Sequence, residues 1–306
     1  MTLDRRDFLR AVLAGAVGST FTYRAFAQTG PPPIAATKLA PDLVMLSGNF
    51  GNVAVVIGPD GLLMIDGGLP ERSADLLKAV ADVDGHKVTT LFNTHWHFDH
   101  IGCNEALGRM GTKIIAHENV RKRLGTRVTV EALNRTFDPL KPEGMPAETF
   151  TTGGQLTFGT QRLEYTHFPV AHTDGDACVF FPALNVLHTG DLLFNRSYPL
   201  IDYSTGGWIG GMVSAAEALG KIGDAQTRII PGHGPLATKS DLQAARDMLA
   251  TTYERLAPLI KAGKSVEEAI AAQPTREFDE RFAQGPRKPD AFVQIAYTSI
   301  VRHQKS

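Results

Sequence analysis

Cysteine is scarce in this chain: Cys103 and Cys178 are the two in 306 residues. Two thiols far apart in sequence build no disulfide framework, so both read as buried thiols without an assigned role. Net charge is equally small, at −1, which removes the electrostatic ground for a nucleic-acid partner. No apolar run is long enough to span a bilayer comfortably, and no repeat or low-complexity stretch follows residue 40. What remains is glycine-rich loops joining short apolar runs, the composition of a compact α/β enzyme with a substantial core.

The N-terminus reads as an export signal. Charged residues Asp4-Arg5-Arg6-Asp7 precede an apolar stretch over residues 11–23, and Ala25-Phe26-Ala27 offers a small-x-small cleavage site. The paired arginines before Phe8-Leu9 resemble the bacterial twin-arginine signal. Residues 1–27 are therefore expected to be removed, leaving a periplasmic protein with no membrane anchor. Four arginines and two aspartates leave with them, so the remaining chain carries −3. Residues 28–40, opening on Gly30-Pro31-Pro32-Pro33, read as a linker, and residues 41–306 as one domain.

Within that domain, apolar runs at 53–57 and 62–65 flank Gly58-Pro59-Asp60-Gly61 and predict a hairpin. Helical spacing follows at 73–83, a buried strand at 88–92, a short helix at 103–107 and a strand at 113–116. Residues 126–150 lack clear periodicity and contain three prolines, as lids and binding loops do. Strands resume at 155–158, 162–167, 177–181, 186–188 and 228–230. Helices are expected at 212–222, 240–262, 266–272 and 291–301. Strands with outer helices, followed by the same again, predict an α/β fold in which two halves face each other as a four-layer αββα sandwich.

The chemistry concentrates in Thr94-His95-Trp96-His97-Phe98-Asp99-His100. In an extended segment alternate side chains share a side, so His95 and His97 reach one metal together. A turn after them swings Asp99 and His100 towards a second. His172, Asp191 and His233 follow later, each next to an expected strand end and near glycine or proline. Imidazoles with carboxylates suit zinc, and iron or manganese fit the same donors. One such histidine alone would more often be a core or surface residue, and His86, His117, His167, His188 and His303 read that way.

The order His-x-His-x-Asp-His, then single His, Asp and His, resembles the metallo-β-lactamase superfamily. Asp66 in Ile65-Asp66-Gly67-Gly68 and the loop Pro231-Gly232-His233-Gly234 belong to the same resemblance. It implies two Zn2+ per chain, one held by residues matching His95, His97 and His172, the other by those matching Asp99, His100 and His233. Asp191 would bridge them, and Asp66 would support the ligands from behind. The implied activity is hydrolysis, a metal-bridging hydroxide attacking a β-lactam, lactone, ester or thioester carbonyl of a small-molecule substrate, with Asp99 moving the proton.

Substrate identity is less legible. Asp191-Leu192-Leu193-Phe194 resembles glyoxalase II, but Asn195-Arg196-Ser197-Tyr198 departs from that family's continuation. Phe194 stands where lactonases carry tyrosine. Trp96, Phe98, Phe194, Tyr198 and Trp208 are candidates for an apolar pocket. The competing readings are an iron-dependent redox enzyme and a periplasmic metal-binding accessory protein. Diiron relatives carry Glu at the position of His97 and an added flavodoxin-like domain, neither of which this chain has.

Overall fold

The computed structural model describes residues 32–48 and 50–305. The expected leader at 1–27 lies outside the described residues. The first half runs β1 (Ala35–Ala40), β2 (Leu43–Ser47), β3 (Val53–Gly58), β4 (Gly61–Ile65), α1 (Ser73–Val83), β5 (Val88–Phe92), α2 (Asn104–Arg109), β6 (Lys113–His117), α3 (Glu118–Leu124), β7 (Val128–Val130), β8 (Arg135–Phe137) and β9 (Glu148–Phe150). The second half runs β10 (Gly153–Phe158), β11 (Gln161–His167), β12 (Ala177–Phe181), β13 (Val186–Phe194), α4 (Ile209–Gly220), β14 (Arg228–His233), α5 (Lys239–Lys261), α6 (Val266–Ala271), α7 (Asp279–Phe282) and α8 (Pro289–His303).

Two main sheets result, ordered β1-β2-β3-β4-β5-β6-β9 and β10-β11-β12-β13-β14, with β7-β8 as a separate hairpin. The first is antiparallel through β4, then parallel through β5, β6 and β9. The second is antiparallel except for the parallel pair β13-β14. Alternation along the strands sends Met45, Val56, Leu63, Ile65 and Phe92 inward against Val179, Phe181, Val186 and Ile230, forming the layer between the sheets. Outside the first sheet, Leu76 and Val80 of α1 cover Val55, Met64 and Leu91. Outside the second, α4, α5 and α8 cover Leu187 and Ile229 with Met212, Leu219, Leu249 and Phe292. Each fully buried side chain of this size contributes about 1.5–3 kcal/mol. The αββα sandwich expected from the order of elements is the observed architecture.

Three expectations need correction. The linker assigned to 28–40, and hence a domain beginning at 41, is wrong over its last part, because residues 35–40 form β1, paired antiparallel with β2. As an edge strand it buries only Leu39 fully, so it carries no apolar alternation to read. Residues 126–150 are not an irregular loop, since they contain β7, β8 and β9, each three residues and too short to display a period. The strand at 186–188 continues to Phe194, so Asp191 lies inside β13 rather than after it. Gly190, at φ +50°, breaks the register there and lets the strand carry on beyond the irregularity.

Candidate metal centre

The His95–His100 motif begins three residues beyond β5, at the C-terminal edge of the parallel strands. Asp66, one residue past β4, fixes both of its ends. Its Oδ1 accepts from Thr94 N at 2.8 Å, and its Oδ2 accepts from Thr94 Oγ1 and His100 Nδ1, each at 2.8 Å. Asp66 holds a left-handed φ of +67°, an uncommon conformation for a residue with a side chain, and these three donors keep it there. The alternation holds as expected, with His95 and His97 facing the centre and Trp96 turned into the core. His100 N donating to His97 O at 2.9 Å makes the turn that brings Asp99 and His100 round.

The other three residues arrive from the second half. His172 lies in the loop between β11 and β12, where the buried Asp176 carboxylate accepts from His172 N at 2.7 Å and Thr173 N at 2.8 Å. Asp191 comes from β13, and His233 ends β14. All seven expected residues meet, in two groups whose donor atoms lie within 4.8 Å of one another: His95, His97, His172 and Asp191, and Asp99, His100 and His233.

Asp191 faces both groups. Its Oδ2 is 3.3 Å from His172 Nε2 and 3.7 Å from His95 Nε2, while its Oδ1 is 3.0 Å from His100 Nε2 and 3.2 Å from His233 Nε2. Asp99 Oδ2 is 3.3 Å from His233 Nε2 and 3.7 Å from His100 Nε2.

Each imidazole is held by its outer nitrogen. His172 Nδ1 donates to Leu200 O at 2.8 Å and His233 Nδ1 to Phe50 O at 3.0 Å. His97 Nε2 meets Asp202 Oδ2 at 3.1 Å. Thr94 Oγ1 gives its hydrogen to Asp66, so it accepts from His95 Nδ1 at 3.2 Å. With the outer proton fixed in this way, the inner nitrogen of each neutral ring presents a lone pair. Two of them, His97 Nδ1 and His172 Nε2, then face each other at 2.8 Å, which is repulsive without a positive charge between them. Among the described residues His95 Nε2, His100 Nε2 and Asp191 Oδ1 are buried without a well-formed hydrogen bond, although the last two approach each other to 3.0 Å. These orphaned acceptors around one point fit cations, and the set of five imidazoles and two carboxylates fits zinc chemistry.

Electrostatics divides the centre. Burial pushes His172 down to about 4 and His95 well below the usual imidazole range, so both are neutral, the form that ligates. Burial also acts against the charged form of His100, but Asp191, Asp66 and Asp99 outweigh it and raise that ring well above its usual range. His233 is likewise raised, to about 9, by Asp191 and Asp99 against burial. Asp191 stays well below the carboxylate range, because the surrounding rings overcome the cost of burying it. The second group thus attracts positive charge, which a proton or a metal satisfies.

A cavity of about 530 Å³ opens over the centre, walled by Phe50, Phe98, Leu133, Phe194, Pro235 and Arg287 among others. Of the aromatics expected there, Phe98 and Phe194 line it. Trp96 and Tyr198 are buried in the core beneath the helices, and Trp208 stacks on His303 with centroids 3.7 Å apart. His188 is buried close by but belongs to neither group, and it accepts from Gly190 N at 3.2 Å. His117 and His167 stack on each other at 3.6 Å, and His86 pairs with Asp84, all apart from the centre.

Sequence reasoning missed four supporting residues. Asp202, fully buried, orients His97 and accepts from Thr205 Oγ1 at 2.8 Å. His97 and Thr205 hold its carboxyl below the usual range despite burial. Asp176 fixes the His172 loop. Asn52 Nδ2 donates to Pro231 O at 2.8 Å and Gly234 O at 2.9 Å, clamping the His233 loop. Arg287 enters the cavity from the C-terminal region. None sits in a recognisable motif, and their only signal is contact in space.

Comparison with known proteins agrees with this geometry. The family model described as the metallo-beta-lactamase superfamily matches residues 46–250. The chain is similar to the hydroxyacylglutathione hydrolase of Maricaulis maris, 29% identical over 123 residues, 40% of each protein. It is also similar to that of a Polaromonas species, 26% identical over 245 residues, 74% of this chain and 85% of the relative. A Nitrosococcus oceani hydroxyacylglutathione hydrolase is 30% identical over 158 residues, 51% of this chain and 52% of the relative. The chain thus spans about half the length, or less, of two of these three relatives. Among solved structures, a metallo-beta-lactamase from Pontibacter korlensis superposes with a TM-score of 0.57 at 22% identity, covering 71% of this chain and 99% of that one. The DIM-1 metallo-beta-lactamase gives 0.57 at 18% identity, covering 72% and 98%. Those two likenesses concern the fold alone, and they agree with the family match over two-thirds of the sequence and with the seven assembled residues: the chain belongs to the metallo-beta-lactamase superfamily.

Proposed function

We propose that this protein is a hydrolase working with two zinc ions, one held by His95, His97 and His172, the other by Asp99, His100 and His233, with Asp191 shared. The observation that carries the reading is the division of the Asp191 carboxylate, one oxygen towards each group of imidazole nitrogens. Two bound cations supply Lewis acidity and an acidified water for attack on a carbonyl at neutral pH.

The chain's own residues supply the rest. Asp66, Asp202, Leu200 O and Phe50 O fix the ring orientations, so little reorganisation is left for the reaction. Asp99 lines the cavity and takes the proton that water releases, returning it to the departing nitrogen, oxygen or sulfur. The balance is simple: hydroxyl goes to the carbonyl carbon, the carbon–heteroatom bond breaks, and hydrogen goes to the leaving atom. Phe50, Phe98, Leu133 and Phe194 form the apolar wall for the substrate body.

The names of the sequence relatives, hydroxyacylglutathione hydrolases, favour acyl thioesters as the first class to test, ahead of esters, lactones and β-lactams. The N-terminal sequence adds export to the periplasm to the proposal. The experiment is metal content by mass spectrometry together with turnover of a thioester, an aryl ester, a lactone and a chromogenic β-lactam. Two zinc equivalents and chelator-sensitive turnover are expected. Two iron equivalents without hydrolysis would replace the reading with a redox one.

A further inference from the structure

The cavity over the metal centre holds a cation that the protein does not neutralise. Arg287 lies in Gly285-Pro286-Arg287, between α7 and α8 and beyond residue 250, where the family match ends. That stretch is fastened to the strand-side wall. Tyr198 N donates to Phe282 O at 2.9 Å, Ser197 bridges to Ala283, and a Cβ added to Gly285 would stand 2.5 Å from Ser197 Cβ. Arg287 Nη1 donates to Tyr198 O at 2.8 Å, which sets the direction of the side chain. Among the described residues it makes no ion pair and no other hydrogen bond.

A guanidinium has five N–H donors, and this one is half-buried with a single donor used. Partial burial leaves its remaining donors less well solvated than on an open surface, so a charge-assisted partner entering the cavity would be favoured there. Asp99 and Asp191 face the same cavity but are engaged with the histidines. Burial lowers Arg287 to about 10 against the pull of those two carboxylates, so it is charged at neutral pH. Arg196 also reaches the cavity, yet it is exposed and borders a neighbouring cleft with Glu277 and Glu280. Solvent and those carboxylates screen it. The rest of the wall is largely apolar, with Phe50 and Leu133 partly open to solvent.

We propose that Arg287 receives a carboxylate carried by the substrate, so that the site selects anionic acyl compounds with an apolar body over neutral ones. This rests on the hydrolase reading above for its word "substrate", but the recognition itself is a binding property. A planar fork facing a carboxylate makes two parallel charge-assisted hydrogen bonds. Losing them costs about ten- to a hundredfold in affinity.

The test uses the full zinc-loaded protein and two ligands without an activated acyl bond, 4-phenylbutanoate and 4-phenylbutanamide, titrated by calorimetry. In Arg287→Gln the affinity for the carboxylate is expected to fall at least about tenfold, and that for the amide less than about twofold. Arg196→Gln is expected to leave both within about twofold. Carboxylate affinity supplied by the metal centre persists in every variant, so the lost fraction reads Arg287. As a second measurement that does not depend on the variant folding, the guanidinium ¹⁵N resonance of Arg287 should shift with the carboxylate and not with the amide. An unchanged carboxylate affinity in Arg287→Gln, or an Arg287 resonance indifferent to the carboxylate, overturns the proposal. Failure of the carbonyl panel would sink the hydrolase reading while leaving this result standing.

Discussion

Replacing Gly232 with alanine should dismantle the second half of the metal centre while sparing the fold. A Cβ at this position would stand 2.0 Å from Asp191 Oδ1, 2.7 Å from Gly190 C and 2.8 Å from Gly190 O. Ordinary contact needs about 3.4 Å, so the carboxylate oxygen or the strand must move by more than about 1 Å. The strand has little room to do so. Gly232 O accepts from Asn52 N at 2.8 Å, and Asn52 Nδ2 grips Pro231 O and Gly234 O on either side. Asp191 Oδ1 therefore yields, and it is the atom 3.0 Å from His100 Nε2 and 3.2 Å from His233 Nε2. A misplacement of about 1 Å in a catalytic group costs on the order of a hundredfold in rate, and overpacking costs about 1–3 kcal/mol of stability. Metal analysis after dialysis should show fewer than two equivalents, with turnover down at least about a hundredfold. Gly220→Ala is the control, because among the described residues nothing lies within 4 Å of its new methyl at the end of α4. That variant should be as active as the parent and as stable or slightly more so. Full metal content and full activity in Gly232→Ala would refute the shared-carboxylate geometry.

Asp202→Asn should weaken zinc binding about 10–100-fold by releasing His97 from its buried acceptor, read by competition with a chromophoric chelator; unchanged affinity would remove Asp202 from the support of the site. Metal uptake should release protons at pH 7. His233 is raised to about 9 and His100 is raised well above its usual range, so the metal-free fold holds protons that a cation displaces. The sign for stability follows from the same shift: in metal-free protein the His233 contribution is fully present below about pH 6.5 and is lost as pH rises through about 9. Calorimetry in two buffers of different ionisation enthalpy measures the release, and zero release at pH 7 would contradict it. Tyr198→Phe should cost about 1–2 kcal/mol in denaturant unfolding, since its hydroxyl donates to Asp279 Oδ1 at 2.6 Å and ties α7 to the strand-side wall; no loss would mean that this bond is replaced by water.

The parts legible in sequence were those with a short-range signature. His95, His97, Asp99 and His100 stand close together because a strand end and one turn suffice to aim them, so spacing alone reveals the arrangement. The central strands were legible for a related reason, since β3 and β4 are buried and read as apolar runs, and β5 ends on the buried pair Leu91-Phe92. The edge strand β1 and the three-residue strands β7, β8 and β9 were not, because their pairing is decided by neighbours far away in the chain. Asp202 illustrates the same limit within the site: it lies 105 residues from His97 and is brought to it by contacts such as that of Asp202 N with His172 O.

That dependence says why the site sits where it does. Its ligands come from both halves of the sandwich, and bonds across the halves hold them in register at one edge. Thr94 O accepts from Ala177 N at 2.8 Å, His233 Nδ1 donates to Phe50 O, and Asn52 clamps the loop that carries His233. Each ties a candidate ligand, or the backbone beside one, to a residue of the other half. Separation of the sheets at this edge would break them together with the division of Asp191 between the two groups. Cations bound there would draw the two groups together and so act on the same interface as the apolar layer between the sheets. By this reasoning metal binding and resistance to unfolding are coupled, the bound state gaining stability in proportion to the logarithm of metal concentration over its dissociation constant.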